Sequence, residues 1–275
     1  RKSNIKDNIN DFSDIFNVID WFQNSLTVIY PSSKNITKKF ELHKDNNLQH
    51  IFTEMLKYFD TGIDSIDFKK IDFDKISIPI EIKEDIINGL LGEKSEKNNV
   101  FLSNPEDDKY YVITKNNSNQ LDAKILKTVH KVSNGTSELF DLMEESDGTR
   151  RIIDLIPLII DFYKGNNVII IDEIERSLHP NLVKDLFDFI FNQCNDINSQ
   201  IIAASHESTL LTQKIFRKDE IWFAVKNKQG ATSLHSLEDY NIRFDKEIMK
   251  NYLIGRFKGV PKLGNRETLS ILKNN

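Results

Sequence analysis

The chain has 275 residues, 39% hydrophobic and 29% charged, with a net charge of -5. That length builds one large domain or two small ones, and that charge excludes a wholesale polyanion binder. A single cysteine, Cys194, excludes an internal disulfide framework and fits a reducing, cytoplasmic setting, while no apolar run approaches the ~18 residues of a membrane span.

The chain opens at Arg1 with no initiator Met and no signal peptide, which reads as a fragment of a longer protein. Residues 1 to 45 begin with an amphipathic helical segment (Phe12, Ile15, Phe16, Val18, Ile19, Trp21, Phe22). A strand-like run from Ser25 to Tyr30 follows, ended by Pro31, Ser32 and Ser33. A second helical pattern, Leu48 to Phe59, lines Ile51, Phe52, Met55, Leu56 and Phe59 on one stripe. Both helical stripes are expected in the core. From Thr61 to about Ser118 short apolar runs alternate with charge, and Lys69 to Lys75 and Glu93 to Asn99 read as solvated surface or a projecting insertion. Tyr110 to Ile113 is a predicted strand ending in the loop Asn116 to Asn119, and Lys124 to Val132 is another. Lys124, Lys127, His130 and Lys131 make that strand basic; a solvated face is the simpler reading, contact with nucleic acid the sharper one.

The informative half starts at Glu144. Ser146, Asp147 and Gly148 form a helix start, offering amide donors and a positive dipole end to an anion. The helix that follows carries Ile152 to Phe162, and Pro157 is predicted to kink or split it. The turn Lys164 to Asn167 leads into Val168, Ile169, Ile170 and Ile171, four β-branched residues without polar alternation. Such a run describes a strand of a parallel sheet covered on both faces. Pro180 suits the first turn of the next helix, which runs to about Cys194, itself read as a small core residue. Gln200 to Ala204 is then a second core strand ending in Ser205, His206 and Glu207, which completes a βαβ unit. Lys218 to Lys226 and Thr232 to Leu237 pair as a hairpin, with Trp222 expected in the core. Asp245 to Leu253 is a final helix, and Arg256 and Lys258 in a Gly-flanked loop are weak phosphate candidates.

Asp172 and Glu173 stand where the buried strand leaves the core, the place at which open α/β sheets bind ligands. Such an acidic pair is a Walker B pattern. Asp172 is the candidate for holding Mg²⁺ through its water shell, and Glu173 for polarising the water that attacks a γ-phosphate. His206, predicted at the same sheet edge, is the candidate sensor of that phosphate. A metal-dependent nuclease using Asp172, Glu173 and Glu175 is the alternative, although no second acidic cluster ends the next strand.

Taken in order, Glu145 to Thr149, Asp172 to Pro180, Ser205 and His206, Arg217 to Trp222, and Tyr252 to Phe257 resemble stand-alone ABC-type ATPases. The resemblance is to the RloA and abortive-infection group, relatives of the OLD and SMC-like ATPases, and spans roughly Phe140 to Leu263. It implies an α/β ATPase head with a parallel core sheet, flanking helices and a helical/β insertion. It places insertion and part of the head in 1–140 and the C-terminal ATPase lobe in 141–275. It further implies ATP and Mg²⁺ bound between two heads of a homo-oligomer. Ser146, Gly148 and Thr149 are then the signature facing the partner's nucleotide, Ser177 to His179 the D-loop, and His206 the switch histidine. The implied setting is anti-phage defence with a nuclease-like effector and a DNA or phage-protein trigger; a non-catalytic scaffold on the same head is the third reading. Two departures stand out. Asp147 puts an extra acid beside a polyphosphate unless it pairs with Arg150. No Gly-x-x-x-x-Gly-Lys-Ser/Thr loop occurs, since Gly92, Glu93, Lys94 and Ser95 lack the first glycine. The Walker A part is therefore expected upstream of Arg1, and this chain alone is expected to bind ATP poorly and to be inactive.

Overall fold

The computed structural model describes residues 13–33, 39, 42–92, 99–104, 109–192, 197–241 and 248–261. The expectations for Phe12, Glu93 to Asn98, Cys194 and the start of the last helix at Asp245 fall outside them. The chain forms two compact units, Arg1–Leu178 with Asp196–Ala204, and His179–Asn195 with Ser205–Asn275. It is a mixed α/β fold built around a parallel sheet.

In the first unit, β1 (Leu26–Ile29), β7 (Val168–Ile171) and β8 (Gln200–Ala203) form a three-stranded parallel sheet with β7 in the centre. Ile29, Ile171 and Ala203 lie in one cross-strand row, and Val28, Ile170 and Ile202 in the row before it. Ile169 and Ile171 are buried, but Val28 and Ile202 are 42% and 57% exposed. The strand is therefore covered on one face only among the described residues, where continuous β-branching had suggested two.

Helix α1 (Ser13–Asn24) forms as its periodicity requires, yet none of its residues is buried. Ile15, Phe16, Val18, Ile19, Trp21 and Phe22 are all exposed, which corrects the expectation of core contacts. Amphipathic spacing says that a face can be covered; it does not say what covers it. Helix α2 (Asn46–Tyr58) does serve the core through Phe52 and Leu56, and Asp45 caps it by accepting from the Asn47 and Leu48 amides at 2.9 and 3.0 Å.

The middle of the chain is an antiparallel sheet in the order β2 (Ser65–Ile71), β5 (Leu121–Lys131), β4 (Lys109–Lys115), β3 (Asn99–Asn104), with β6 (Ser137–Phe140) also pairing β5. Asn116 closes the β4–β5 turn, its side-chain oxygen accepting from the Ser118 and Gln120 amides at 3.0 and 2.9 Å. Helix α3 (Ile80–Leu91), not legible in the charge-interrupted sequence, joins Ile86 and Leu90 to Tyr111, Ile113, Ala123 and Ile125. Three of the four basic residues of that strand meet carboxylates: Lys127 pairs with Asp141 at 2.5 Å, Lys131 with Asp64 at 2.6 Å, and His130 meets Glu145 at 2.6 Å.

Helix α4 (Asp147–Lys164) runs unbroken through Pro157, so the predicted kink does not divide it. Its apolar positions from Ile152 to Phe162 are buried except Ile160, and that packing outweighs the one amide donor that proline removes. Gly165, at φ +82, ends the helix, and the Asn167 side chain donates to the Asp161 and Gly165 carbonyls at 2.7 and 2.9 Å.

The second unit holds α5 (Pro180–Asn192), the hairpin β9 (Trp222–Lys226) and β10 (Thr232–Ser236), and α6 (Ile248–Leu253). Its core gathers Ile221, Phe223, Leu237, Ile248 and Phe257, with Phe223 and Phe257 stacked at 4.6 Å. Trp222 is 57% exposed and donates its ring N–H to the Asp219 carbonyl at 2.9 Å, contrary to the core placement expected of it. Strand alternation gives the inward position to Phe223 instead.

Candidate functional site

Asp172 is the last rung of the parallel ladder. Its amide donates to the Ile29 carbonyl at 2.9 Å, and its side chain is exposed just past the strand. One residue on, Glu173 is half-buried and takes φ +45, a region that L residues rarely enter. Residues 173–178 fold into consecutive turns: the Arg176 amide donates to the Glu173 carbonyl at 3.0 Å and the Leu178 amide to the Glu175 carbonyl at 2.9 Å. Ser177 is also left-handed, at φ +62.

The start of α4 lies against this turn. A Cβ at Gly148 would stand 2.9 Å from the Ser177 carbonyl oxygen, so only glycine permits the approach. Ser146 caps α4, its hydroxyl oxygen accepting from the Thr149 amide at 3.1 Å and sharing a 2.9 Å hydrogen bond with the Thr149 hydroxyl. Asp147 pairs with the Arg150 guanidinium, the arrangement that relieves the extra acid at this position. Ser146, Gly148, Thr149, Asp172, Glu173 and Ser177 thus all lie in the first unit, on two segments joined at Gly148 and Ser177.

Two supporting residues have roles that the sequence does not signal. Glu145, immediately before the cap, accepts from the Thr128 hydroxyl at 2.5 Å and meets the His130 ring Nε2 at 2.6 Å, fastening the loop to β5. Arg151 is 6% exposed and donates Nη2–H to the Glu173 carbonyl at 3.3 Å. Burial pulls its pKa down; Asp154, Glu173 and Glu175 act the other way, and Arg176 adds to the lowering. Asp154 in turn pairs with Lys39, 2% exposed, at 2.6 Å, and the Lys39 ammonium donates to the Tyr110 hydroxyl at 3.2 Å. No pattern in the sequence marks these residues, because each is an ordinary polar position until a partner from a distant segment meets it.

His179 and His206 belong to the second unit. His179 is the residue before α5, and its ring Nδ1 accepts from the Asn181 amide at 3.2 Å. His206 is exposed, three residues beyond the end of β8, between Ser205 and the turn that Glu207 caps through the Thr209 amide at 2.8 Å. Arg256 donates to the Asn251 side chain at 3.4 Å, while its neighbour Phe257 is fully buried. Among the described residues, no group of three or more His, Cys, Asp or Glu side chains is arranged to hold a metal ion.

The family described as "AAA domain, putative AbiEii toxin, Type IV TA system" matches residues 8–212, three quarters of the chain. The chain belongs to this family. The matched region takes in Asp172, Glu173 and the start of α4. No curated protein sequence matches the chain. One similar solved structure is described as "Structural biochemistry of ATP-driven dimerization and DNA stimulated activation of SMC ATPases", at 14% identity and TM-score 0.41, covering 82% of this chain and 99% of that one. Another is the SmcHead bound to the C-winged helix domain of ScpA, at 15% identity and TM-score 0.38, covering 72% of this chain and 44% of that one. Among the described residues of this AAA-domain protein, no helix is long and apolar enough to cross a membrane.

Proposed function

We propose that the chain is the catalytic lobe of an ATP hydrolase of the ABC type, working in the cytoplasm in abortive-infection defence against phage. The observation that carries the reading is the left-handed backbone of Glu173, directly after an exposed Asp172 at the end of a parallel strand. A residue kept in that region costs about 1–3 kcal/mol, and such residues cluster at active sites. Asp172 would hold Mg²⁺ through its water shell, and the ion, when bound, supplies charge neutralisation on the phosphates. Mg²⁺ needs only one or two protein carboxylates because waters and phosphates complete its shell, so a single exposed Asp fits it.

In this reading Glu173 polarises the attacking water and His206 senses the terminal phosphate. Ser146, Gly148 and Thr149 meet the nucleotide held by a second head, beside the D-loop residues Ser177 and His179. The RloA-like and OLD-like kinship and the homo-oligomer of heads belong to this proposal, as does a nuclease-like effector. The family's printed description, which names a toxin of a type IV TA system, supports the defence setting. DNA as a trigger draws no support from β5, whose Lys127 and Lys131 are already paired with carboxylates. The phosphate cradle is proposed to come from a Walker A segment outside these 275 residues, since none occurs within them.

Glu173→Gln in the intact protein is the test. ATP turnover falls by at least ~10²-fold, as expected for loss of a general base, while Mg–ATP binding and nucleotide-dependent self-association persist. Turnover at the wild-type rate would overturn the reading.

A further inference from the structure

The backbone at Glu173 is strained, and something must hold it there. A left-handed glutamate persists only where its surroundings over-determine it. The peptide between Glu173 and Ile174 is fixed from both sides. The Ile174 amide donates to the Ala204 carbonyl of the neighbouring strand segment at 3.3 Å. The Glu173 carbonyl accepts from the Arg176 amide at 3.0 Å and from Arg151 Nη2 at 3.3 Å. The first two are bonds between backbone groups; Arg151 reaches in with its side chain from α4, the helix that Ser146 caps and whose first turn carries Gly148.

Arg151 is a poor choice if stability were its purpose. Only 6% of it is exposed, and its Nε–H is buried without a hydrogen-bond partner. A buried charge with an unmet donor is destabilising next to an apolar residue of similar volume. What keeps it charged is a set of carboxylates around it, Asp154, Glu173 and Glu175, and Asp154 is itself held by the buried Lys39. The cation is thus built into place at the Glu173 carbonyl, whose orientation is tied to the φ and ψ of the acid.

We propose that Arg151 is the positioning residue for Glu173: by gripping the Glu173 carbonyl from within α4, it holds the acid's backbone left-handed and so fixes its carboxylate relative to the first turn of α4. The proposal rests on reading Glu173 as the acid that polarises water. It also ties two parts of the site into one rigid piece, because the helix that presents Ser146 and Gly148 is the helix that holds Glu173.

The test compares Arg151→Met with Arg151→Lys and Glu173→Gln in the intact protein. Arg151→Met lowers kcat on the order of 10²-fold, the effect of misplacing a catalytic group, and leaves KM for Mg–ATP unchanged. In the same variant the amides of residues 174–178 exchange hydrogen faster, while those of Ile152 to Phe162 do not. Arg151→Lys, which keeps the cation and a donor, recovers part of kcat. Wild-type kcat in Arg151→Met would overturn the inference, as would faster exchange along the whole of α4 that Arg151→Lys fails to relieve. Loss of turnover in Glu173→Gln with none in Arg151→Met defeats the positioning role alone; wild-type turnover in Glu173→Gln defeats the ATPase reading itself.

Discussion

Gly148 has no room for a side chain: the Ser177 carbonyl oxygen, a backbone atom that cannot swing away, stands 2.9 Å from where a Cβ would be. Gly148→Ala must therefore push the start of α4 off the 173–178 turn. A loss of about 1–3 kcal/mol in urea unfolding is expected, the usual cost of forcing an extra methyl into a packed contact. Ser146→Ala acts differently, removing the acceptor for the Thr149 amide and costing about 1 kcal/mol as a lost helix cap. If Gly148→Ala proves neutral by the same measurement, the close approach of the two segments is wrong. Both residues were legible as a helix start from residue type alone. The turn they approach was not, because Gly148 and Ser177 are 29 positions apart in the chain.

Among the elements, α1 and the β2–β5 pair make opposite forecasts. Helix α1 buries none of its residues, so Phe22→Asp should leave stability within about 0.5 kcal/mol of the wild type, as surface changes do. The same change in a core helix would cost several times more, and thermal unfolding separates the two. The β2–β5 pair depends on pH. Lys70 pairs with Asp122 at 2.7 Å and Lys131 with Asp64 at 2.6 Å, and the hydrogen bond from each lysine pulls its carboxylate below the ordinary range. Both folded pKa values lie below the unfolded value of about 3.9, so this support is complete above that pH and fades as pH falls through the folded values. An acid titration of unfolding should therefore steepen below about pH 4, and Lys70→Met should blunt that limb. An unchanged acid limb in that variant would remove Asp122 from the explanation. Strand β5 and the Tyr110 to Ile113 run of β4 were readable in the sequence, whereas β2 was not: its Lys69 and Lys70 had suggested solvated surface or an insertion. Helix α3 was not, because Glu81, Lys83, Glu84 and Asp85 break its apolar residues into short pieces.

At the scale of the molecule, each unit has its own apolar core. Phe257, fully buried, stacks on Phe223 in the second unit, and Phe257→Ala should cost about 3–5 kcal/mol there. Hydrogen exchange should then quicken in β9 and β10 and leave β4 and β5 of the first unit unchanged. Equal loss of protection in both units would show that they do not have separate cores. The division itself cuts the chain three times, since residues 196–204 return to the first unit to supply β8. No composition shift or linker in the sequence marks that return.

By itself the sequence determined the central strand, the acidic pair that ends it, the helix start at Ser146 and the β9–β10 hairpin. These follow from local rules of periodicity, capping and turn chemistry, which need no distant partner. Only the tertiary structure decided that α1 lies exposed, that Glu173 is left-handed, that Gly148 lies against Ser177, and that a buried Arg151 grips the acid's carbonyl. Each of those depends on residues far apart in the chain meeting in space, and burial, strain and ion pairing exist only once they have met.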